Sequence, residues 1–488
     1  MNFIRRSSGL EPHVFSIAVV VVLGAIMSVL DTTIVNVALH DLAKDFHSPL
    51  DDIQWVATGY MLALAAMIPL TGWASKRFGG RRLYVIALIV FTVGSALCAV
   101  AWSSGSLIAF RVLQGIGGGM IMPVGQMILV RAAGPKNMAR VMSAIGVPII
   151  LAPIFGPTLG GLLLDHAGWE WIFLINVPIG VVAVFAALRL LPKVEREDAG
   201  PLDAIGFAMA AAGTVAVTYG LTESGTAGSL AAASVVIPFF LGVALIGGFV
   251  IRALKIEHPL LDVRLFADKG FASAALTTFA LGGALFGAMI LMPLYFQTVR
   301  MENAVMAGVM LAPQGIGAGV AMRYSAYATE RFGAGATALV GSIITLVATL
   351  PFVFLGAGTP FVLIALAMIV RGLGIGLSMM PAMTAAFAGL KPHQINDATP
   401  QLTVLQRVGG SMGTAILTVV LQNHLIANAQ TPTGAAEAFG STYWWVMAIT
   451  AVALVPTAFL MLIERRDGRL RAAESNVSSV AVAEAAGA

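Results

Sequence analysis

The chain has 488 residues, 58% of them hydrophobic and only 11% charged, with a mean hydropathy of +0.90. A soluble domain carries about a quarter charged residues, so this composition excludes a soluble globular protein and leaves an integral membrane protein. A single cysteine, Cys98, excludes a disulfide framework, a four-cysteine zinc site and an iron-sulfur cluster together. A net charge of +4 without a clustered basic face does not point to nucleic acid.

An α-helix needs about 20 apolar residues to cross roughly 30 Å of hydrocarbon. Runs of that kind are predicted at 14–39, 53–71, 83–101, 107–130, 138–164 and 171–190, then at 204–221 and 231–251, and finally at 271–294, 304–322, 335–355, 361–381, 402–421 and 443–463. The expected architecture is therefore all-α and membrane-integral, with fourteen spans in groups of six, two and six. In chain order it has an N-terminus (1–13), a first six-helix bundle (14–191), a linker with spans 7 and 8 (192–270), a second six-helix bundle (271–463) and a disordered tail (464–488). The first run follows Arg5 and Arg6 but is too long for a signal peptide and lacks a small-residue cleavage site, so it is read as retained.

An even span count places both termini on one side, and the positions of Lys and Arg test this independently. One set of loops and both termini hold Arg5, Arg6, Lys76, Arg77, Arg81, Arg82, Arg131, Lys136, Arg140, Arg189, Lys193, Arg196, Arg252, Lys255, Arg264, Lys269, Arg323, Arg331, Lys391, Arg465, Arg466, Arg469 and Arg471; the opposing loops hold only Lys44 and Arg300. This parity predicts cytoplasmic termini, and it explains the basic excess by orientation rather than by an anionic partner.

The two six-span groups echo each other. Ala74-Ser75-Lys76-Arg77-Phe78-Gly79-Gly80 follows span 2 and Ala328-Thr329-Glu330-Arg331-Phe332-Gly333-Ala334 follows span 10. Arg111 precedes a glycine run and Met122-Pro123 in span 4, as Arg371 precedes Gly372, Gly374, Gly376 and Met380-Pro381 in span 12. Parallel repeats of six spans describe a secondary transporter with its substrate site at the interface of the halves.

Among the acidic residues Asp31 alone lies well inside a span. An aspartate near a helix centre costs about 2.5 to 3.5 kcal/mol on insertion scales, so such residues face a cavity or a partner and mark ion pathways. Burial favours its neutral, protonated form unless a close cation offsets that. Three basic residues also lie within spans: Arg111, Arg371 and Arg407. A guanidinium does not deprotonate at accessible pH, so these arginines are expected to hold a carboxylate or to tune Asp31. Arg111 shares one helical face with Gly115, Gly119, Met122 and Gln126. Gly156 with Gly160, and Gly409 with Gly413, fit close transmembrane packing, and Pro148, Pro153 and Pro157 are expected to bend span 5. The string Gly115-Ile116-Gly117-Gly118-Gly119 has no strand around it and is not a dinucleotide loop. All seven histidines fall outside spans or at their ends without metal-ligand spacing, which argues against a membrane enzyme.

These residues carry a family resemblance. Leu30-Asp31-Thr32-Thr33-Ile34-Val35-Asn36-Val37-Ala38-Leu39, the loop Gly72-Trp73-Ala74-Ser75-Lys76-Arg77-Phe78-Gly79 with Arg81-Arg82, Arg111-Val112-Leu113-Gln114-Gly115, Gly156-Pro157-Thr158-Leu159-Gly160-Gly161 and Trp169-Glu170-Trp171-Ile172-Phe173-Leu174-Ile175-Asn176-Val177-Pro178 together resemble the fourteen-span drug:proton antiporters of the major facilitator superfamily, of the EmrB/QacA type. The resemblance implies the major facilitator fold with two inserted helices and export of amphipathic small molecules from the plasma (inner) membrane. It also implies energy from the proton gradient without a cofactor, and function as a monomer. Asp31 and Arg111 are the implied proton-coupling pair. Asn36, Gln114, Met120, Met122, Gln126, Tyr295, Gln297, Gln314, Arg371 and Arg407 are the expected cavity lining, its methionines suited to promiscuous binding. Gly72, Lys76, Arg77, Gly79, Arg81, Arg82, Glu330, Arg331, Gly156, Pro157, Gly160 and Gly161 are the expected conformational motifs. One departure stands out: Lys76 occupies a place where the loop motif often has an acid, and Gly80 one where it often has a base. The usual charge latch is therefore not expected, and Glu330 is its candidate substitute. The alternative reading is a dedicated exporter of one metabolite, amino acid, siderophore or lipid.

Overall fold

The computed structural model describes the backbone of residues 11–193, 197–428 and 431–486, and side chains in these stretches except at 135–136, 143–145, 147–155, 157, 304, 428, 432 and 467–486. Arg5, Arg6 and Arg196 lie outside the described residues, as do the side chains of Lys136, Pro148, Pro153, Pro157, Arg469 and Arg471.

Hydrocarbon offers no partner for a free N–H or C=O, so a spanning segment must satisfy its backbone internally. The described regular structure is accordingly helical throughout. Thirteen helices are long and apolar enough to cross a bilayer: α1 (Pro12–Asp45), α2 (Leu50–Phe78), α3 (Gly80–Ala99), α4 (Ser104–Gly134), α6 (Glu170–Leu190), α7 (Ala204–Ala227), α8 (Ala233–Lys255), α9 (Lys269–Thr298), α10 (Val305–Phe332), α11 (Ala334–Val353), α12 (Phe361–Ala388), α13 (Pro392–Ala427) and α14 (Thr433–Arg466). The fourteenth expected span, α5 (135–166), is the second arm of the helical run Ser104–His166, which turns at Gly134 (φ 64°, ψ 176°). Many hydroxyls inside the spans are satisfied in the same way. Those of Thr345, Thr349 and Thr442 donate to the carbonyls of Gly341, Thr345 and Ala438 on their own helices.

The repeat inferred from two short strings is a repeat of packing. In the N half, α4 lies against α2, where a Cβ on Gly119 would fall 2.4 Å from the Leu64 carbonyl oxygen, and against α3, where one on Gly94 would fall 2.7 Å from Gln114 Cα. In the C half, α12 takes the same two neighbours: Gly372 meets the Gln314 backbone of α10 and Gly374 meets Thr345 of α11. Gly156 and Gly160 seat α5 on Thr33 and Ile34 of α1, while Gly409 and Gly413, each 253 positions later, seat α13 on Phe279 and Gly283 of α9. Small residues permit this approach where apolar lipid gives helices no hydrophobic reason to associate. The turns after α2 and α10 also agree, with Gly79 at φ 82°, ψ 137° and Gly333 at φ 90°, ψ 157°. That conformation is costly for a residue with a Cβ.

Helices α7 and α8 form a separate antiparallel pair, packed through Gly213, Gly220 and Gly242 and tied by Arg252 Nε to Asp203 Oδ1 at 2.9 Å. The pair touches both halves through α7: Tyr219 stacks on Trp55 of α2 with centroids 6.0 Å apart, and Gln422 of α13 donates to the Gly225 carbonyl at 2.8 Å. The outer face of α8 shows Ile237, Phe240 and Ile251, a surface suited to lipid. The last helix continues to Ala486, whereas disorder is expected over 464–488. The alanine-rich composition of that stretch has high helix propensity, which overrides its lack of an apolar stripe.

Candidate functional site: a buried charge centre and a latch between the halves

Helices α1, α4 and α6 bring one acid, one base and two amides to a single point inside the N half. Asp31, Arg111 and Gln114 are buried, and Asn176 is 2% exposed. Arg111 Nη1 donates to Asp31 Oδ2 at 2.6 Å and to Gln114 Oε1 at 2.7 Å. Gln114 Nε2 and Asn176 Nδ2 both donate to Asp31 Oδ1, at 2.8 and 3.0 Å. Arg111 Nε donates to the Val56 carbonyl at 3.1 Å, and its guanidinium carbon lies 4.0 Å from the centre of the Tyr60 ring. Asn176 also donates to Ser95, whose hydroxyl donates to the Phe173 carbonyl.

A buried charge is tolerable only when paired and hydrogen-bonded, and here each charge has both. Arg111 supplies the close cation that the sequence reading allowed for, and it offsets the desolvation of Asp31. Gln114 follows Arg111 by one helical turn and so reaches the same carboxylate. It belongs to this centre and not to the cavity where it was expected. Asn176, Ser95 and Tyr60 were not singled out from the sequence. The available signal was a polar residue inside an apolar run, as Asn176 is between Ile175 and Val177.

The second cluster lies where the basic loops meet. Lys76 Nζ stands 2.6 Å from Asp397 Oδ2, joining the end of α2 to the start of α13, with the two side chains 22% and 9% exposed. A charge latch therefore exists at the position where the altered loop motif removed the expectation of one, with the base on the N half and the acid on the C half. Helix dipoles account for this polarity: Lys76 sits in the last turn of its helix and Asp397 in the first turn of its own, the ends that favour each charge. Glu330 faces Arg140, 3.2 Å from Arg140 Nε, joining α10 to α5. Glu197, after α6, accepts from Arg131 at 2.8 Å and from Asn396 at 3.2 Å, while its backbone N–H donates to the Lys76 carbonyl. Among the described residues, the ion pairs between the halves all lie at this end. Arg81 donates to the Leu188 carbonyl and Arg331 to Tyr327, whereas Arg77 and Arg82 are exposed.

Gly72 sets the closeness of that end. A Cβ there would lie 2.6 Å from the Asn396 carbonyl oxygen and 3.2 Å from Leu261. Gly72→Val is therefore expected to push α2 and α13 apart, and a thiol placed at residue 75 should react faster with a water-soluble maleimide in that variant than with Gly72 in place. An unchanged rate contradicts the tight contact.

The cavity residues divide. Met120, Met122 and Gln126 lie on α4, where Gln126 Nε2 points at the sulfurs of Met142, 3.6 Å away, and of Met383 on α12, 3.9 Å away. Met322 and Met380 approach Gly146 from the C half. Methionines from both halves thus fill the interface between them. Gln314 accepts from Arg371 at 3.0 Å. Arg407, on α13, makes no hydrogen bond or ion pair among the described residues. Tyr295 is placed elsewhere: its hydroxyl donates to the Gly356 carbonyl at 2.8 Å and its ring packs on Phe296 and Phe439, so it holds the α11–α12 turn. Asn36 and Gln297 are exposed and make no side-chain hydrogen bond among the described residues, and neither is brought to the interface contacts above. Helical spacing gives the face a residue occupies but not what lies against that face.

Comparison with known proteins bears on the whole chain. A model of the Major Facilitator Superfamily matches residues 21–414. The Multidrug resistance protein B homolog of Mycobacterium tuberculosis (strain ATCC 25618 / H37Rv) is 41% identical over 419 residues, covering 84% of this chain and 78% of the relative. The Multidrug export protein EmrB of Haemophilus influenzae is 31% identical over 406 residues, covering 82% and 79%. Two solved structures share the fold: the human organic anion transporter MFSD10, with a TM-score of 0.63 at 16% identity over 92% of this chain and 100% of that one, and the proton:xylose symporter XylE, with 0.61 at 14% identity over 91% and 94%. With thirteen candidate spans among the described residues, two repeated halves and the multidrug-resistance relatives together, the chain is a multi-pass membrane transport protein and belongs to the Major Facilitator Superfamily, in the group that holds the EmrB-type proteins.

Proposed function

We propose that the protein exports amphipathic compounds in exchange for protons, by alternating access, as a monomer in the plasma membrane with its termini in the cytoplasm. The observation that carries this reading is the Asp31–Arg111 pair, 2.6 Å apart and buried. Asp31 is a titratable acid whose charge is balanced inside the N half. Protonating it cancels the pair and leaves Arg111 with an uncompensated charge, so a proton changes the energy of this half by the worth of a buried ion pair. The ion pairs between the halves at the basic end support a state closed to the cytoplasm. A two-state carrier needs such a difference between its states in order to be driven. The methionine-filled interface supplies adaptable apolar surface for varied substrates. No resident cofactor enters the scheme.

The test is transport into proteoliposomes under an imposed pH gradient, with an amphipathic cation, a neutral compound and an amphipathic acid as separate probes. Accumulation of at least one probe that requires the gradient and saturates with concentration is expected. Transport that proceeds equally without the gradient contradicts proton coupling.

A further inference from the structure

The C half holds a cation for which proton exchange has no use. Arg371 on α12 stands where Arg111 stands on α4, ahead of a glycine run and a Met-Pro pair, but its surroundings differ. It is 2% exposed, Nη1 donates to Gln314, Nε has no partner, and among the described residues no acid pairs with it. Helix α9, which takes the place of α1, offers Leu281, Ala284 and Leu285 beside Arg371 where α1 offers Asp31 to Arg111. A buried guanidinium without a counter-charge is costly, and it cannot relieve that cost by losing its proton.

The free edge of Arg371 lines a cavity of about 10 Å³, between Leu281 and Leu285 of α9, Thr345 of α11, Met379 of α12 and Thr450 of α14, room on the order of one water molecule. The hydroxyls around it are engaged, since Thr345, Ser378 and Thr450 donate to carbonyls of their own helices. Arg371 is therefore the free donor in the cavity. Nε and Nη2 form the planar edge of a guanidinium that grips a carboxylate through two parallel hydrogen bonds. A second cation, Arg407, stands unpaired in the same half.

We propose that Arg371 is the centre of a carboxylate-binding site in the C half, and that the substrates are amphipathic acids. This deepens the transport reading and rests on it for the word substrate, while binding itself is independent of proton coupling. The division of labour follows from the charges: the N half carries its own acid for the proton, and the C half leaves its cation unmatched so that the cargo completes it.

The experiment is equilibrium binding of 2-naphthoate and its uncharged isostere 2-naphthamide to the purified full chain, without a gradient. A charge-assisted hydrogen-bonded contact predicts a preference for the acid of about tenfold or more in the wild type. The preference is expected to vanish in Arg371→Gln, to survive in part in Arg371→Lys, which keeps the charge and loses the fork, and to persist in Asp31→Asn. Equal binding of acid and amide to the wild type overturns the proposal without any variant, as does a preference retained in Arg371→Gln. Binding of acetate that is lost in Arg371→Gln, with no binding of naphthoate, shows a small-anion site and overturns the claim about cargo. Loss of gradient-driven transport with the acid preference intact would instead sink the antiport reading and leave the site standing.

Discussion

Arg111→Met is expected to lose about 3 to 5 kcal/mol of stability, because it strands the Asp31 carboxylate inside the N half without its cation. Asp31→Asn is expected to lose a comparable amount: its amide oxygen still accepts from Gln114 and Asn176, which donate to Oδ1 at 2.8 and 3.0 Å, but Arg111 is left buried without a counter-charge. The double variant Asp31→Asn with Arg111→Met removes both charges and should recover most of the stability lost in Arg111→Met. All three should fail to accumulate substrate against its gradient. Thermal unfolding in detergent measures the first effect and proteoliposome transport the second. The separation matters: a pair that served only structure would return transport along with stability in the double variant, and that result would remove Asp31 and Arg111 from the coupling step.

The second large effect belongs to Lys76 and Asp397. Lys76→Asp places two carboxylates where a 2.6 Å ion pair now stands with both groups largely buried. Closure at the basic end is expected to weaken by about 1 to 3 kcal/mol, roughly a 5- to 150-fold shift between the two states. Spin labels at Arg77 and Arg331, both exposed and on opposite halves, report the separation, and buried Cys98 stays unlabelled. The distance distribution should move to longer values in Lys76→Asp and return in part when Asp397→Lys is added. The return should be incomplete, because each charge then sits at the helix end its dipole disfavours, at about 0.3 to 1 kcal/mol per end. Full recovery contradicts the dipole explanation of the polarity, and an unchanged distribution in Lys76→Asp contradicts the latch.

The sequence carried the architecture because bilayer physics is written in one dimension. Span length and small residues at close contacts are local properties, and the thirteen candidate spans found among the described residues and the repeat of packing were legible from them. Asp31 was legible for the same reason, as a charge where charge is expensive. That an in-span arginine would pair with it was also legible, but the choice of Arg111 over Arg371 and Arg407 came through resemblance, since 80 positions separate the two. Asp397 was invisible at 321 positions from Lys76: on paper it is an ordinary acid at the start of a helix. Tyr295 looked like a polar cavity tyrosine until the carbonyl of Gly356 was found against its hydroxyl. Partners across the fold are set by helix packing in three dimensions, and hydropathy does not encode which faces meet.

The central claim is that one proton on Asp31 is exchanged for one direction of cargo movement. It is tested most directly by a pH-sensitive dye inside proteoliposomes holding an imposed gradient, to which a transported compound is added, with wild type and correctly folded Asp31→Asn compared at equal protein. The account predicts that cargo addition speeds collapse of the gradient in the wild type and leaves it unchanged in Asp31→Asn, while the variant still exchanges labelled for unlabelled cargo. Cargo-dependent collapse of the gradient by Asp31→Asn at the wild-type rate would contradict it.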